Sequence, residues 1–240
     1  SPSETPIITG KFKFFAARAT PHNISKLATL KCPTAWPLAT VSLITSRQLL
    51  IYNDSNMKPL DFVAVGDVVT DAFIRLKDAK VSCDINNENC TISMRFGDKI
   101  PYESVTIIKG VGNSPNAAVA AARLSLAAGL ITDLGDDQNG SEMVDYLRGQ
   151  KIDTRYFTVH SGQASNYHYV LWYESDRTIL VKHEPYHYNW PVLKTDLPPK
   201  WLYLSSLGES ADNYQSQIVK YLSEYPEIKL AFQPGTYQLK

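Results

Sequence analysis

Thr106-Ile107-Ile108-Lys109-Gly110-Val111-Gly112-Asn113-Ser114-Pro115-Asn116, opening into residues 117–130, is the stretch on which the fold turns. It reads as a short apolar strand, a tight glycine turn and an alanine-rich helix. Ser114 suits the N-cap and Pro115 the first helical position, where a missing N–H costs nothing. Free amides at such a helix start point at whatever binds there. Gly112 lets backbone approach a ligand closely, and Asn113 and Asn116 add side-chain donors and acceptors beside it. The junction is built to hold a polar ligand.

Outward from it, strands and helices alternate. Phe62–Val65 is a continuous apolar run, as in a strand buried on both faces. The helix over 117–130 is apolar nearly all round, with Gly129 as a C-terminal stop. A second helix runs from about Ser141 to Gly149. A hairpin turns at Glu174-Ser175-Asp176, and a third helix covers roughly 212–225. Interleaving of this kind implies an α/β parallel core with right-handed crossovers. Near 81–96 and 167–182, apolar and polar residues alternate instead. These strands have one buried face and suit a small separate sheet.

Two families own a strand–glycine turn–helix junction. In a dinucleotide-binding unit, Gly110 and Gly112 fit the first two glycines, and Asp133 lies about twenty residues on. Pro115 then stands in place of the third glycine, where it would block close helix–strand packing. The second resemblance is longer. Asn116-Ala-Ala-Val-Ala-Ala-Ala-Arg-Leu124, followed by Gly135-Asp136-Asp137-Gln138-Asn139-Gly140, is similar to the first signature of the ribokinase (PfkB-type) carbohydrate kinases. Val111 departs from that pattern where a Gly is usual, and Ser114 where a Gly or Ala is usual. The resemblance covers about 58–240. It implies a ribokinase-like parallel sheet with helices on both faces and a small β-sheet lid over the sugar, with the C-terminal part of that fold absent.

What the resemblance implies for the site is specific. The segment 61–71 resembles the family's first strand with its sugar-binding acid, which by position is Asp71. On residue chemistry alone Asp71 reads equally as a turn or cap aspartate. The resemblance makes Asp71, Gly112, Asn113 and Asn116 the sugar contacts. A carboxylate and an amide together suit a polyol. Arg177, in or after the hairpin, could face an acidic or phosphorylated substrate, as could Lys182. Tyr167, Tyr169 and Tyr173 alternate along a strand and read as lid packing.

Asp136 and Asp137 invite a metal reading, but an EF-hand fails because its first loop position would be Gly135. They read as the turn into the next helix, near its positive end. His168, His183 and His187 have no regular metal spacing. The resemblance implies ATP and Mg²⁺ for the complete enzyme, with transfer to a hydroxyl of a sugar, sugar acid or nucleoside. The family's second signature, Asp-Thr-x-Gly-Ala-Gly-Asp, with its transfer base and anion hole, does not occur. No Walker or protein-kinase motif occurs either. The catalytic residues are expected beyond Lys240, so the chain alone is expected to be inactive and poorly soluble. Its last strand, near 229–232, is expected to lack a neighbour. Two other readings stand beside the kinase: an oxidoreductase fragment on the Gly110/Gly112 turn, and a non-catalytic sugar-binding module.

Composition bounds the partners. The chain has 240 residues, 44% of them hydrophobic, and a formal net charge of zero. That suits one large domain and carries no nucleic-acid footprint. No apolar run reaches the length of about 18 residues that crosses a membrane. Cys32, Cys83 and Cys90 lack a C-x-x-C pair, which argues against a disulfide framework and for a cytoplasmic protein. Asn23, Asn89 and Asn139 open chance glycosylation tripeptides. An apolar lid face offers a place for a homodimer. Residues 1–56 show little periodicity and scattered prolines. They are expected to lie outside the fold of 57–240, so that a chain starting at Met57 unfolds at nearly the same temperature.

Overall fold

The computed structural model describes residues 15–17, 58–86, 88–193, 197–208, 211–235 and 239. A six-stranded sheet runs in the order β1 (Phe15–Ala17), β12 (Lys229–Phe232), β11 (Trp201–Leu204), β2 (Phe62–Val65), β7 (Ala128–Gly135), β8 (Asp153–His160). All pairings are parallel except β1 on β12. Three helices among the described residues cover the sheet: α1 (Asn113–Arg123), α2 (Gln138–Gly149) and α3 (Asp212–Glu224). The apolar run of β2 is buried because both faces are covered. Val63 and Val65 pack with Leu202, Tyr214, Ile218 and Leu222 on the α3 side. Ala64 packs with Ala118, Leu130, Met143 and Leu147 on the side of α1 and α2. Chain order leaves β2 in both directions, to β7 on one side and to β11 on the other. A crevice therefore opens beyond its C-terminal end, where α/β sheets take ligands.

A second sheet closes over that crevice in the order β10 (Asp176–Leu180), β9 (Tyr167–Tyr173), β3 (Val69–Leu76), β6 (Tyr102–Val111). This is the lid. The hairpin at 167–182 belongs to it, as expected. The strands near 81–96 do not: β4 (Lys80–Ser82) and β5 (Thr91–Ser93) form a separate two-stranded ribbon. Their one-faced alternation is real, but Val81 and Met94 stay exposed. Cys83 and Cys90 are bonded to each other across the ribbon's turn, with Cα atoms 4.0 Å apart. The expectation against a disulfide thus fails locally. Two cysteines that flank the turn between paired strands need no metal spacing to join.

Three other expectations shift. The helix over 117–130 ends at Arg123, and Ala128–Gly135 is a fully buried strand. Ser125 takes a positive φ of 70° and turns the chain, and Phe62–Val65 then pairs with Ala128–Ile131. Pairing in the central sheet overrides the helix preference of alanine. Gly129 is therefore a strand residue, not a helix stop. Finally, β12 does not end the sheet bare, because Phe15–Ala17 pairs antiparallel along it. Those residues contribute an edge strand; the rest of the N-terminal stretch lies outside the described residues.

Candidate functional site

Three of the four links between the two sheets pass through one small region. After β2, Gly66-Asp67-Val68 carries the chain into β3; after β6, Gly112 carries it into α1. After β8, residues 161–166 carry it into β9. Asn166 is buried and ties these links together. Its carbonyl accepts from Thr70 N–H (3.2 Å), its Nδ2 donates to Val68 O (3.4 Å), and its Oδ1 accepts from Glu184 N–H (2.7 Å).

The start of α1 differs from its expected form. Gly112 holds the cap position with a φ of 127°, and the first intrahelical bond runs from Asn116 N–H to Gly112 O (3.0 Å). Pro115 thus sits two places further into the first turn, where its missing N–H is equally harmless. Ser114 caps nothing. It is fully buried, and its Oγ donates to Val65 O (2.6 Å) while accepting from Ser205 Oγ (2.6 Å). It pins the helix start to the ends of β2 and β11. A serine fits there because a β carbon at Gly66 would already lie 2.5 Å from that hydroxyl.

Between core and lid lies a cavity of about 440 Å³. Its lining contains Asp67 from the end of β2, Val69 and Asp71 from β3, Gly112 and Asn113 from the start of α1, and His168 from β9. Ile179, Val181 and His183 come from β10 and the segment after it, and Ser206 follows β11. Of the residues expected from sequence, Asp71, Gly112 and Asn113 are brought together. Asn116 is exposed on α1 and Arg177 is exposed on β10, and neither is among the lining residues.

Sequence reading missed Asp67, His168, His183 and Tyr188. Asp67 is buried at 5% exposure, its Oδ1 accepts from Tyr188 O–H (2.8 Å), and His183 Nδ1 lies 3.2 Å from its Oδ2. Gly208 N–H donates to the Tyr188 oxygen (3.3 Å). Burial, with Asp67 beside it, pushes the Tyr188 phenol well up, so it stays a donor. A second pair repeats the pattern, with His168 Nδ1 3.4 Å from Asp71 Oδ1. One signal could have found Asp67: it directly follows the glycine that ends a buried apolar strand. The histidines had been tested only against metal spacings.

Asp133 lies deeper, at 3% exposure, with His160 Nε2 2.7 Å from its Oδ1. Burial pushes its pKa up to about 6; His160 opposes the shift and Asp67 adds to it. A raised carboxyl pKa favours the fold below the ordinary value near 4, and that contribution is lost as pH rises through about 6. Wild-type stability is therefore expected to fall between pH 4 and pH 6 by an amount that Asp133→Asn lacks, at most roughly 3 kcal/mol. Urea midpoints across that range measure the difference. Parallel pH profiles for the two proteins would refute it.

The Gly-Asp-Asp-x-x-Gly turn is structural, as read. Asp137 caps α2 by accepting from Gly140 N–H (2.8 Å), and also accepts from Ser165 Oγ (2.6 Å) and N–H (3.0 Å). Burial works against its ionisation, but these bonds outweigh it and hold the carboxyl below its usual range. Asp136 accepts from Gly162 N–H (2.9 Å) and Ser161 Oγ (3.1 Å), which lower its pKa. Among the described residues no three His, Cys, Asp or Glu side chains converge as metal ligands. The dinucleotide reading loses its basis, because the strand feeding α1 is β6 of the lid. A Rossmann unit needs that strand in the parallel core. No helix among the described residues is long and apolar enough to cross a membrane.

A doubly wound parallel core, a β-sheet lid and a polar cavity at the switch point define a ribokinase-like fold. Residues 88–197 match the model of the pfkB family carbohydrate kinases. It is 37% identical over 98 residues to a 5-dehydro-2-deoxygluconokinase of Geobacillus thermodenitrificans, across 40% of this chain and 23% of the relative. A 5-dehydro-2-deoxygluconokinase of Bacillus velezensis is 45% identical over 58 residues, across 24% of this chain and 18% of the relative. These matches span about a quarter or less of the curated relatives' lengths. Halothermothrix orenii fructokinase superposes with a TM-score of 0.53 at 17% identity, across 72% of this chain and 56% of that one. Arabidopsis thaliana ribokinase, solved with ribose and ATP, superposes with a TM-score of 0.52 at 16% identity, across 69% of this chain and 52% of that one.

Proposed function

We propose that this chain supplies the acceptor-binding portion of a carbohydrate kinase. The complete enzyme would transfer the γ-phosphoryl group of ATP to a hydroxyl of a sugar, sugar acid or nucleoside. The observation that carries this reading is the cavity at the switch point, which gathers Asp71 from β3 with Gly112 and Asn113 from the start of α1. In it, Asp71 accepts from sugar hydroxyls, and Gly112 and the amides at the start of α1 approach the ring. Asn116 on α1 and Arg177 on β10 belong to the same proposed set, outside the cavity lining.

Transfer forms a bond from the acceptor oxygen to the γ-phosphorus and breaks the β–γ bridge, and the hydroxyl proton passes to a base. Asp136 and Asp137 are engaged in holding a turn and do not serve as that base. Binding and orienting the acceptor, and keeping water from it under the lid, are what these residues contribute. The outer lid face exposes Ile107, Tyr169 and Leu180 in one row, and we read it as the seat of a second copy. We also place the protein in the cytosol. There a bond such as Cys83–Cys90 would exchange with thiols.

The test is release of ADP by the complete gene product, given ATP, Mg²⁺ and a panel of sugars, sugar acids and nucleosides. Acceptor-dependent ADP release is expected. Acceptor binding without any release would instead favour a non-catalytic sugar-binding module.

A further inference from the structure

We propose that the cavity selects neutral polyols and disfavours anionic sugar acids, with Asp67 setting the discrimination and Tyr188 positioning it. The inference rests on the sugar-binding reading above. The charged groups that face the cavity are Asp67 from the end of β2, Asp71 from β3, His168 from β9 and His183 from the segment after β10. No lysine or arginine is among the lining residues. Of the cations near these residues in sequence, Lys182 pairs with Glu184, Lys109 with Glu142 and Arg75 with Glu103, and Arg177 is exposed on β10 outside the lining. Two carboxylates against two imidazoles sum to minus two when both imidazoles are neutral, and to zero when both are protonated. The sum is never positive. The start of α1 adds only about half a positive charge.

Among the lining residues an anionic acceptor finds no cation and meets carboxylates. A neutral polyol finds what its hydroxyls need. Asp67 Oδ2 and Asp71 Oδ1 are buried oxygens that accept no hydrogen bond from the described residues, although a histidine nitrogen approaches each. Hydroxyl donors can complete them. The Tyr188 O–H engages Asp67 Oδ1, which leaves Oδ2 as the oxygen that a ligand can claim. Tyr188 does not line the cavity, so its role is to fix that carboxylate. Both curated relatives are named for a sugar acid, but their matches cover less than a quarter of their lengths.

The experiment is calorimetric titration of the full chain at neutral pH with D-ribose, D-fructose and D-gluconate. At least one neutral sugar is expected to bind about tenfold or more tightly than gluconate. Asp67→Asn, which keeps size and a hydrogen-bond acceptor, is expected to narrow that ratio by raising gluconate affinity. Tyr188→Phe keeps the ring and its packing. It is expected to weaken the neutral sugar several-fold while leaving the thermal midpoint within a few degrees. Gluconate binding as tightly as the neutral sugars, or an unchanged ratio in Asp67→Asn, would overturn the selectivity and leave the sugar-binding reading intact. Absence of binding by all three would overturn both.

Discussion

Gly112→Val is expected to destabilise the protein by about 2–4 kcal/mol and to abolish sugar binding. The reason lies in two independent constraints on one residue. Its φ of 127° is a backbone conformation that β-branched residues avoid. A β carbon there would also sit 2.8 Å from the carbonyl oxygen of Asp67. That carbonyl is backbone and cannot swing aside. Asp67 is itself held by its N–H on Ser206 O (3.2 Å) and by its carboxylate on Tyr188. Relief would have to come from moving β6 or α1, and α1 is pinned through Ser114. Gly112→Ala should fall between wild type and Gly112→Val. Urea denaturation and sugar titration measure the two effects. A wild-type midpoint for Gly112→Val would mean that the junction yields where it is drawn as rigid.

Asp71→Ala is expected to leave unfolding nearly unchanged while lowering sugar affinity by about ten- to a hundredfold. A lost charged hydrogen bond costs roughly 1.5–3 kcal/mol. The carboxylate contributes little to the fold, since its Oδ1 accepts no hydrogen bond from the described residues and His168 stands 3.4 Å away. Asp71→Asn should retain part of the affinity, because its amide oxygen still accepts. Titration of the complete enzyme with its best acceptor decides the matter. Equal affinity for wild type and Asp71→Ala would remove Asp71 from the site.

The parts of the fold that were legible in sequence are those dictated by local pattern. The apolar run Phe62–Val65 can only be a strand covered twice, and the hairpin turn at Glu174 announces β9 and β10. The end of α1 was not legible. Alanines at 127 and 128 favour a helix locally, and only pairing with β2, a distant segment, makes Ala128 a strand residue. The membership of β6 was hidden for the same reason. Thr106–Ile108 is apolar enough for the core, yet it pairs with β3 in the lid.

At the site, glycine and asparagine in one short turn pointed to Gly112 and Asn113. His168, His183 and Tyr188 lie far along the chain from that turn. No spacing rule joins them to it; the second sheet and the loop after β10 bring them there. Ser114 was read as a cap because its neighbours fit one. Its hydroxyl instead found better partners in Val65 and Ser205, which are distant in sequence.

Three of the four backbone links between the sheets have a mechanical consequence. They cross within one small region, at Gly66–Val68, at Gly112 and at Asn166, and the first two border the cavity itself. At these three links lid and core share a pivot, and the cavity adjoins it. A molecule that fills the cavity acts on the tilt of the whole lid with no lever arm to spare, so small displacements at the pivot become large ones at the far ends of β3 and β6. The amide of Thr70, bonded to Asn166 across that pivot, is where such motion would be felt first. Its rate of hydrogen exchange is a local gauge of occupancy, readable without any turnover.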